Sequence, residues 1–157
     1  MTFSTRIFRN INGSPEDPVP TWPAEAFTAV LAYGGMPEYR PVALEIQSDP
    51  WGWAAQCMES ALAAVDLEDE ENPVNLGAYR LFEYLLSDSR RAAASQEREE
   101  VAAQLRRLVK ASGLSQADFA LRCGTSRSRL STYLNAKVSP RADFMVRAMR
   151  VSERAAA

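Results

Sequence analysis

The sequence predicts an all-α protein in two parts, an acidic helical domain over residues 1–94 and a basic helical bundle over residues 95–157. Three observations carry this reading. Apolar residues recur at helical spacing through most of the chain, with Pro, Gly and Ser/Asp punctuation between the periodic stretches. The 157 residues, 46% of them hydrophobic, are enough for one ordinary core or two small ones. The formal charge of −2 conceals an asymmetry: residues 1–94 hold 6 Arg, no Lys and 14 Asp and Glu, whereas residues 95–157 hold 12 Lys and Arg against 6 acids. The first part is therefore net −8 and the second net +6. A basic surface of that kind suits the neutralisation of phosphates, and the acidic part would be repelled by them.

Asn10, Asn12, Gly13, Pro15, Pro18 and Pro20 point to an extended arm or loop over Thr2 to Pro20, which Phe3, Ile7, Phe8 and Ile11 could pin down. Thr21 is placed to cap a helix from Pro23 to Tyr33, with Phe27, Val30 and Leu31 on one stripe and Gly34-Gly35 ending it. Pro41 to Gln47 reads as a short helix with Val42 and Ile46 inward, although its alternation also fits a strand. Asp49 then caps a helix over Pro50 to Val65, and Asp66 to Glu71 forms a solvated loop. Helical pattern resumes at Pro73 to Leu86. Ser87-Asp88-Ser89 is read as the cap of a further, long helix from Arg90, whose Val101, Leu105, Leu108 and Val109 form one buried face. Trp22, Trp51 and Trp53 are assigned to the core.

The most informative stretch is Gln116 to Asn135. Ser115 caps its first helix, with Asp118 three residues on; Phe119 anchors the core, Ala120 is small where a second helix approaches, and Cys123 fills a buried slot. Gly124 supplies the positive φ of a tight turn. Thr125 or Ser126 caps a second helix, Arg127 to Leu134, with Leu130, Tyr133 and Leu134 inward and Arg127, Ser128, Arg129, Ser131 and Thr132 outward. Ser139-Pro140 opens a last helix with Phe144, Ala148 and Val151 on its core face and Arg141, Arg147, Arg150 and Arg154 on the other.

This run, LSQADFALRCGTSRSRLSTYLNAKVSP, resembles the Cro-type (Xre) helix-turn-helix family, to which the phage lambda repressor belongs, over roughly residues 98–152. Gln116, Ala120, Gly124, Leu130, Tyr133 and Asn135 stand at the family's motif positions, while Ala136 occupies a place where many relatives carry Gly. The resemblance implies a lambda-repressor-like bundle that reads double-stranded DNA with its second helix in the major groove. It assigns base contacts to Arg127, Ser128, Ser131 and Thr132, and phosphate contacts to Gln116 and Asn135. Arg129 and Lys137 add phosphate contacts on grounds of position and charge. Phe119, Ala120, Gly124, Leu130 and Tyr133 are the structural residues of the motif.

From these readings follows a bacterial transcriptional regulator of the repressor kind. It is expected to be a homodimer, with residues 1–94 serving oligomerisation or a protein partner. An antitoxin that masks a toxin through residues 1–94 and autoregulates its operon is the other reading. The 16 Arg against 2 Lys agree with a gene of high GC content. No enzyme is expected: there is no His, no Gly-rich phosphate loop and no Cys pair at metal-ligand spacing, and Glu45, Asp49 and Glu59 have no fixed separation. No metal or cofactor is expected. Cys57 and Cys123 read as buried reduced thiols; with no apolar run near the roughly 20 residues of a membrane span, the expected location is the cytoplasm.

Overall fold

The computed structural model describes residues 7–157, among which lie seven α-helices and one short 3-10 turn and no strand. The helices are α1 (Ala24–Tyr33), α2 (Met36–Ser48), α3 (Trp53–Ala63), α4 (Leu76–Ser112), α5 (Gln116–Arg122), α6 (Arg127–Leu134) and α7 (Ala142–Ala156). The chain divides into two compact units, residues 1–92 and 93–157, each with its own hydrophobic core. The expected anchor Phe3 lies outside the described residues.

In the first unit, Phe27, Val30 and Leu31 of α1 meet Val42 and Ile46 of α2, Ala55, Met58 and Leu62 of α3, and Phe82 and Leu86 of α4. The arm is pinned by Ile7, which is buried, and by Phe8, whose ring stands edge-on to Trp22 at 5.2 Å. Thr21 does not cap α1: it sits in the 3-10 turn, where its hydroxyl donates to Pro18 O at 2.6 Å, and Pro23 occupies the cap position. The second helix starts five residues before Pro41, at Met36, and a strand there is ruled out. Two causes combine. The Glu38 carboxylate accepts the Gly35 N–H at 2.8 Å, giving the first turn a partner, and Tyr39 extends the buried stripe of Val42 and Ile46 backwards by one turn. Pro37 takes the early-helix position for which proline is suited, leaving Pro41 inside the helix.

Asp49 is also not the cap of α3. It closes α2 instead, and Gly52 is the N-cap of α3, packed so closely on Asp49 that a Cβ there would lie 2.2 Å from Oδ2. Trp51 and Trp53 depart from the core assignment, being 48% and 50% exposed, whereas Trp22 is buried. Each surface ring has a polar partner: Trp53 Nε1 donates to Trp22 O at 2.8 Å, and the Arg90 guanidinium lies 5.0 Å over the Trp51 ring.

The Ser87-Asp88-Ser89 run caps nothing, because α4 passes through it without a break. Capping residues end a helix only where their side chains replace missing backbone partners, and within a continuing helix those amides are already bonded. Phe82 and Leu86 bury this stretch on one side, and Arg90 secures it by donating to Pro50 O at 3.0 Å and pairing with Glu59 at 2.8 Å.

The second unit packs Leu105 of α4 with Phe119, Ala120 and Cys123 of α5, Leu130, Tyr133 and Leu134 of α6, and Phe144 and Ala148 of α7. The Tyr133 and Phe144 rings meet at 5.1 Å, and the buried Ser152 hydroxyl on α7 donates to Leu108 O at 3.0 Å. Ser139-Pro140 precedes the last helix rather than opening it; Arg141 holds the N-cap position, without a side-chain cap bond. Both cysteines are buried free thiols.

Candidate nucleic-acid interface

The geometry of α5 and α6 is set by three local devices. Ser115 Oγ accepts the Asp118 N–H at 3.1 Å, which starts α5 at the expected residue. Its far end closes in a Schellman turn: Thr125 N–H donates to Ala120 O at 2.9 Å and Gly124 N–H to Leu121 O at 3.1 Å, with Gly124 at φ 75°. Ser126, rather than Thr125, then caps α6, its hydroxyl accepting the Arg129 N–H at 3.1 Å.

The same closure recurs at the end of α6. Lys137 N–H donates to Thr132 O at 3.0 Å and Ala136 N–H to Tyr133 O at 3.2 Å, which puts Ala136 at φ 55°. A left-handed alanine thus makes the turn usually built with glycine, and α6 keeps its length.

With Leu130, Tyr133 and Leu134 buried, the opposite face of α6 presents Arg127, Ser128 and Arg129 to solvent and Ser131 and Thr132 half-buried. Arg127, in the first turn, is exposed. Ser128 Oγ lies 3.3 Å from Ser126 Oγ. Thr132 donates its hydroxyl proton to Arg129 O at 2.7 Å, so its oxygen faces outward only as an acceptor, beside its methyl group. Asn135 Nδ2 donates to Ser131 O at 2.8 Å and lies 3.2 Å from Ser131 Oγ. The Asn135 amide nitrogen is thereby engaged by Ser131. Gln116 is exposed at the first position of α5, and Lys137 is exposed after α6.

Arg129 is held in place by Tyr133: Nε donates to the phenol oxygen at 2.9 Å, which raises the guanidinium pKa further above its ordinary value. Tyr133 therefore does more than fill the core. It also orients a cation at the protein surface.

Arg106 is a residue that sequence reasoning missed. From α4 it donates Nη1 to Leu134 O and stands 3.9 Å from Glu99, so it ties down the C-terminal end of α6. The pattern gave no sign of this, because Arg106 sits next to the buried Leu105 and reads as an ordinary exposed cation. On α7, the Arg147 guanidinium lies 6.0 Å over the Phe144 ring and Arg141 pairs with Asp143 at 3.5 Å.

Two short helices joined by a glycine turn, buttressed by α4 and α7 and bearing an outward cationic face, define a helix-turn-helix bundle. In keeping with this, the family model of a helix-turn-helix domain matches residues 100–156. No curated protein and no solved structure matches the chain. Among the described residues no helix is long and apolar enough to cross a membrane.

Proposed function

We infer that the second unit binds double-stranded DNA by placing α6 in the major groove, and that the protein is a sequence-specific transcriptional repressor acting as a homodimer. The observation that carries this reading is the outward face of α6, cap-locked by Ser126 and bearing exposed Arg127, Ser128 and Arg129 on a helix-turn-helix bundle. Arg127 reads guanine O6 and N7 with two donors, Ser128 and Ser131 contact neighbouring base edges, and the Thr132 methyl meets a thymine methyl. Gln116, Arg129, Asn135 and Lys137 set the register on phosphates. A net charge of +6 over residues 95–157 supplies attraction, whereas the net −8 of residues 1–94 is repelled by the duplex.

The test is an anisotropy titration of the full chain against duplexes from its own upstream region and against shuffled duplexes, over a range of salt. Salt-sensitive binding with preference for the upstream sequence is expected, and absence of binding to both overturns the reading. Arg127→Ala costs about 1–3 kcal/mol on the preferred site and relaxes choice at one base pair. Equal weakening on every sequence overturns the base-reading role of Arg127.

A second reading is favoured by the net charge of −8 over residues 1–94: an antitoxin whose first unit covers a basic toxin while the second represses the shared operon. A co-transcribed neighbour that is lethal without this protein would favour it over a solitary regulator.

A further inference from the structure

The first unit carries a groove bounded by α1, the end of α3 and the loop that follows it, with a volume of about 740 Å³. Its floor is apolar: Ala29, Val65 and Val74 line it while packing, partly buried, against the core. Tyr33, 60% exposed, stands in its wall. The charged lining residues are Glu25, Asp66, Asp69 and Glu71, and none of the lining residues is Lys or Arg. Among the described residues the ion pairs of this unit lie elsewhere, at Arg90 with Glu59 and Arg91 with Asp88.

The loop is held in shape by its own carboxylates. Asp66 Oδ1 accepts the Glu68 N–H at 2.9 Å; Asp69 Oδ1 accepts the Glu71 and Asn72 N–H groups at 2.9 and 3.2 Å, and its Oδ2 accepts from Asn72 Nδ2 at 3.1 Å. Asp69 is thus committed to the loop, whereas Glu25 and Glu71 form the acidic rim together with the second oxygen of Asp66.

We propose that this groove docks a basic amphipathic segment of a partner polypeptide, with aliphatic side chains on the floor and Lys or Arg heads against Glu25, Asp66 and Glu71. The inference rests on the reading of the first unit as partner-binding and gives that reading a surface. Charge complementarity selects the occupant. An apolar trough rimmed by carboxylates on α1 and on the loop repels acidic chains, a second copy of this net-negative unit among them. Carboxylates spread over two elements call for several cations on one scaffold, which a peptide supplies and a single amine does not.

The probe is a labelled helical peptide of Lys and Leu, titrated by anisotropy into the full chain. Saturable one-to-one binding is expected. It should weaken at least about tenfold in Glu25→Gln/Asp66→Asn/Glu71→Gln and persist in Glu83→Gln/Glu100→Gln, which removes charge outside the groove. Thr28→Trp, at an exposed position of α1 lining the groove, keeps the carboxylates, fills the trough and should also abolish binding. The proposal is overturned if both sets of charge variants lose binding equally, if a peptide with Ser in place of Leu binds as tightly, or if Thr28→Trp binds normally. Displacement by a short alkylamine at equal concentration, or self-association abolished by the rim variants, overturns it in favour of another occupant. Duplex binding measured on the same samples separates the two readings. Peptide binding lost with duplex binding retained concerns the groove alone, and the reverse concerns α6 alone.

Discussion

Replacing Ala136 by glycine should stabilise the second unit, although the change removes a side chain and makes no new contact. Ala136 lies at φ 55°, in the left-handed region, where an L-residue with a Cβ is roughly 1–2 kcal/mol worse than glycine. Against this, a glycine adds about 0.4–1 kcal/mol of conformational freedom to the unfolded chain. Taking the middle of each range, the balance is a gain of about 0.8 kcal/mol, which for a domain of this size raises the melting temperature by roughly 3–6 °C.

Gly124 provides the opposite experiment. It holds φ 75° in the matching turn, and a Cβ added there meets nothing within 4 Å, so Gly124→Ala probes backbone strain without a clash. It should lose what Ala136→Gly gains, and the double variant should return close to the parent. Urea unfolding followed by amide exchange at Leu130 and Leu134 reports on this unit without interference from the first. A destabilised or unchanged Ala136→Gly refutes the reasoning that strain at this residue outweighs the entropy of the added glycine.

Other perturbations test neighbouring parts of the reasoning. Ser126→Ala removes the α6 cap and should cost about 1 kcal/mol in unfolding, with a parallel loss in duplex affinity because the turn carrying Arg127 frays. Phe144→Ala empties the centre of the second core and should cost about 3–5 kcal/mol, seen as loss of exchange protection in α5–α7. Burial raises both thiol pKa values, with Glu25 adding to the effect at Cys57 and Arg147 opposing it at Cys123, so iodoacetamide should label neither in the native protein and both in urea. Hydrogen bonds from Asn72 and from the Glu71 and Asn72 amides lower the Asp69 pKa, so its contribution to loop order is present above the ordinary aspartate range and lost as pH falls through the lowered value. Exchange at the Glu71 and Asn72 amides should accelerate there, and Asp69→Asn should remove that pH step.

Local pattern made the second unit readable from sequence. Ser115, Gly124 and Ser126 act within a few residues of themselves, and capping and left-handed turns depend on little else, so α5 and α6 fall where their residues place them. The same is true of the exposed α6 face, since three buried residues on a short helix determine which side is left for solvent. What the sequence did not reveal depended on distant partners. Ser87-Asp88-Ser89 looked like a boundary because its propensity is local, yet Arg90 and the buried Phe82 and Leu86 keep the helix intact there. The surface placement of Trp51 and Trp53 rests on Arg90 and on the Trp22 carbonyl, far along the chain. The tie from Arg106 of α4 to the end of α6 likewise exists only once those helices have packed, whereas the bonds from Arg129 to Tyr133 and from Asn135 to Ser131 span a single turn of α6. Sequence alone determined where α5 and α6 lie and which residues of α6 face outward. Tertiary structure decided how the end of α6 is tied to α4 and where an acidic groove opens, because each requires atoms from elements that only folding brings together.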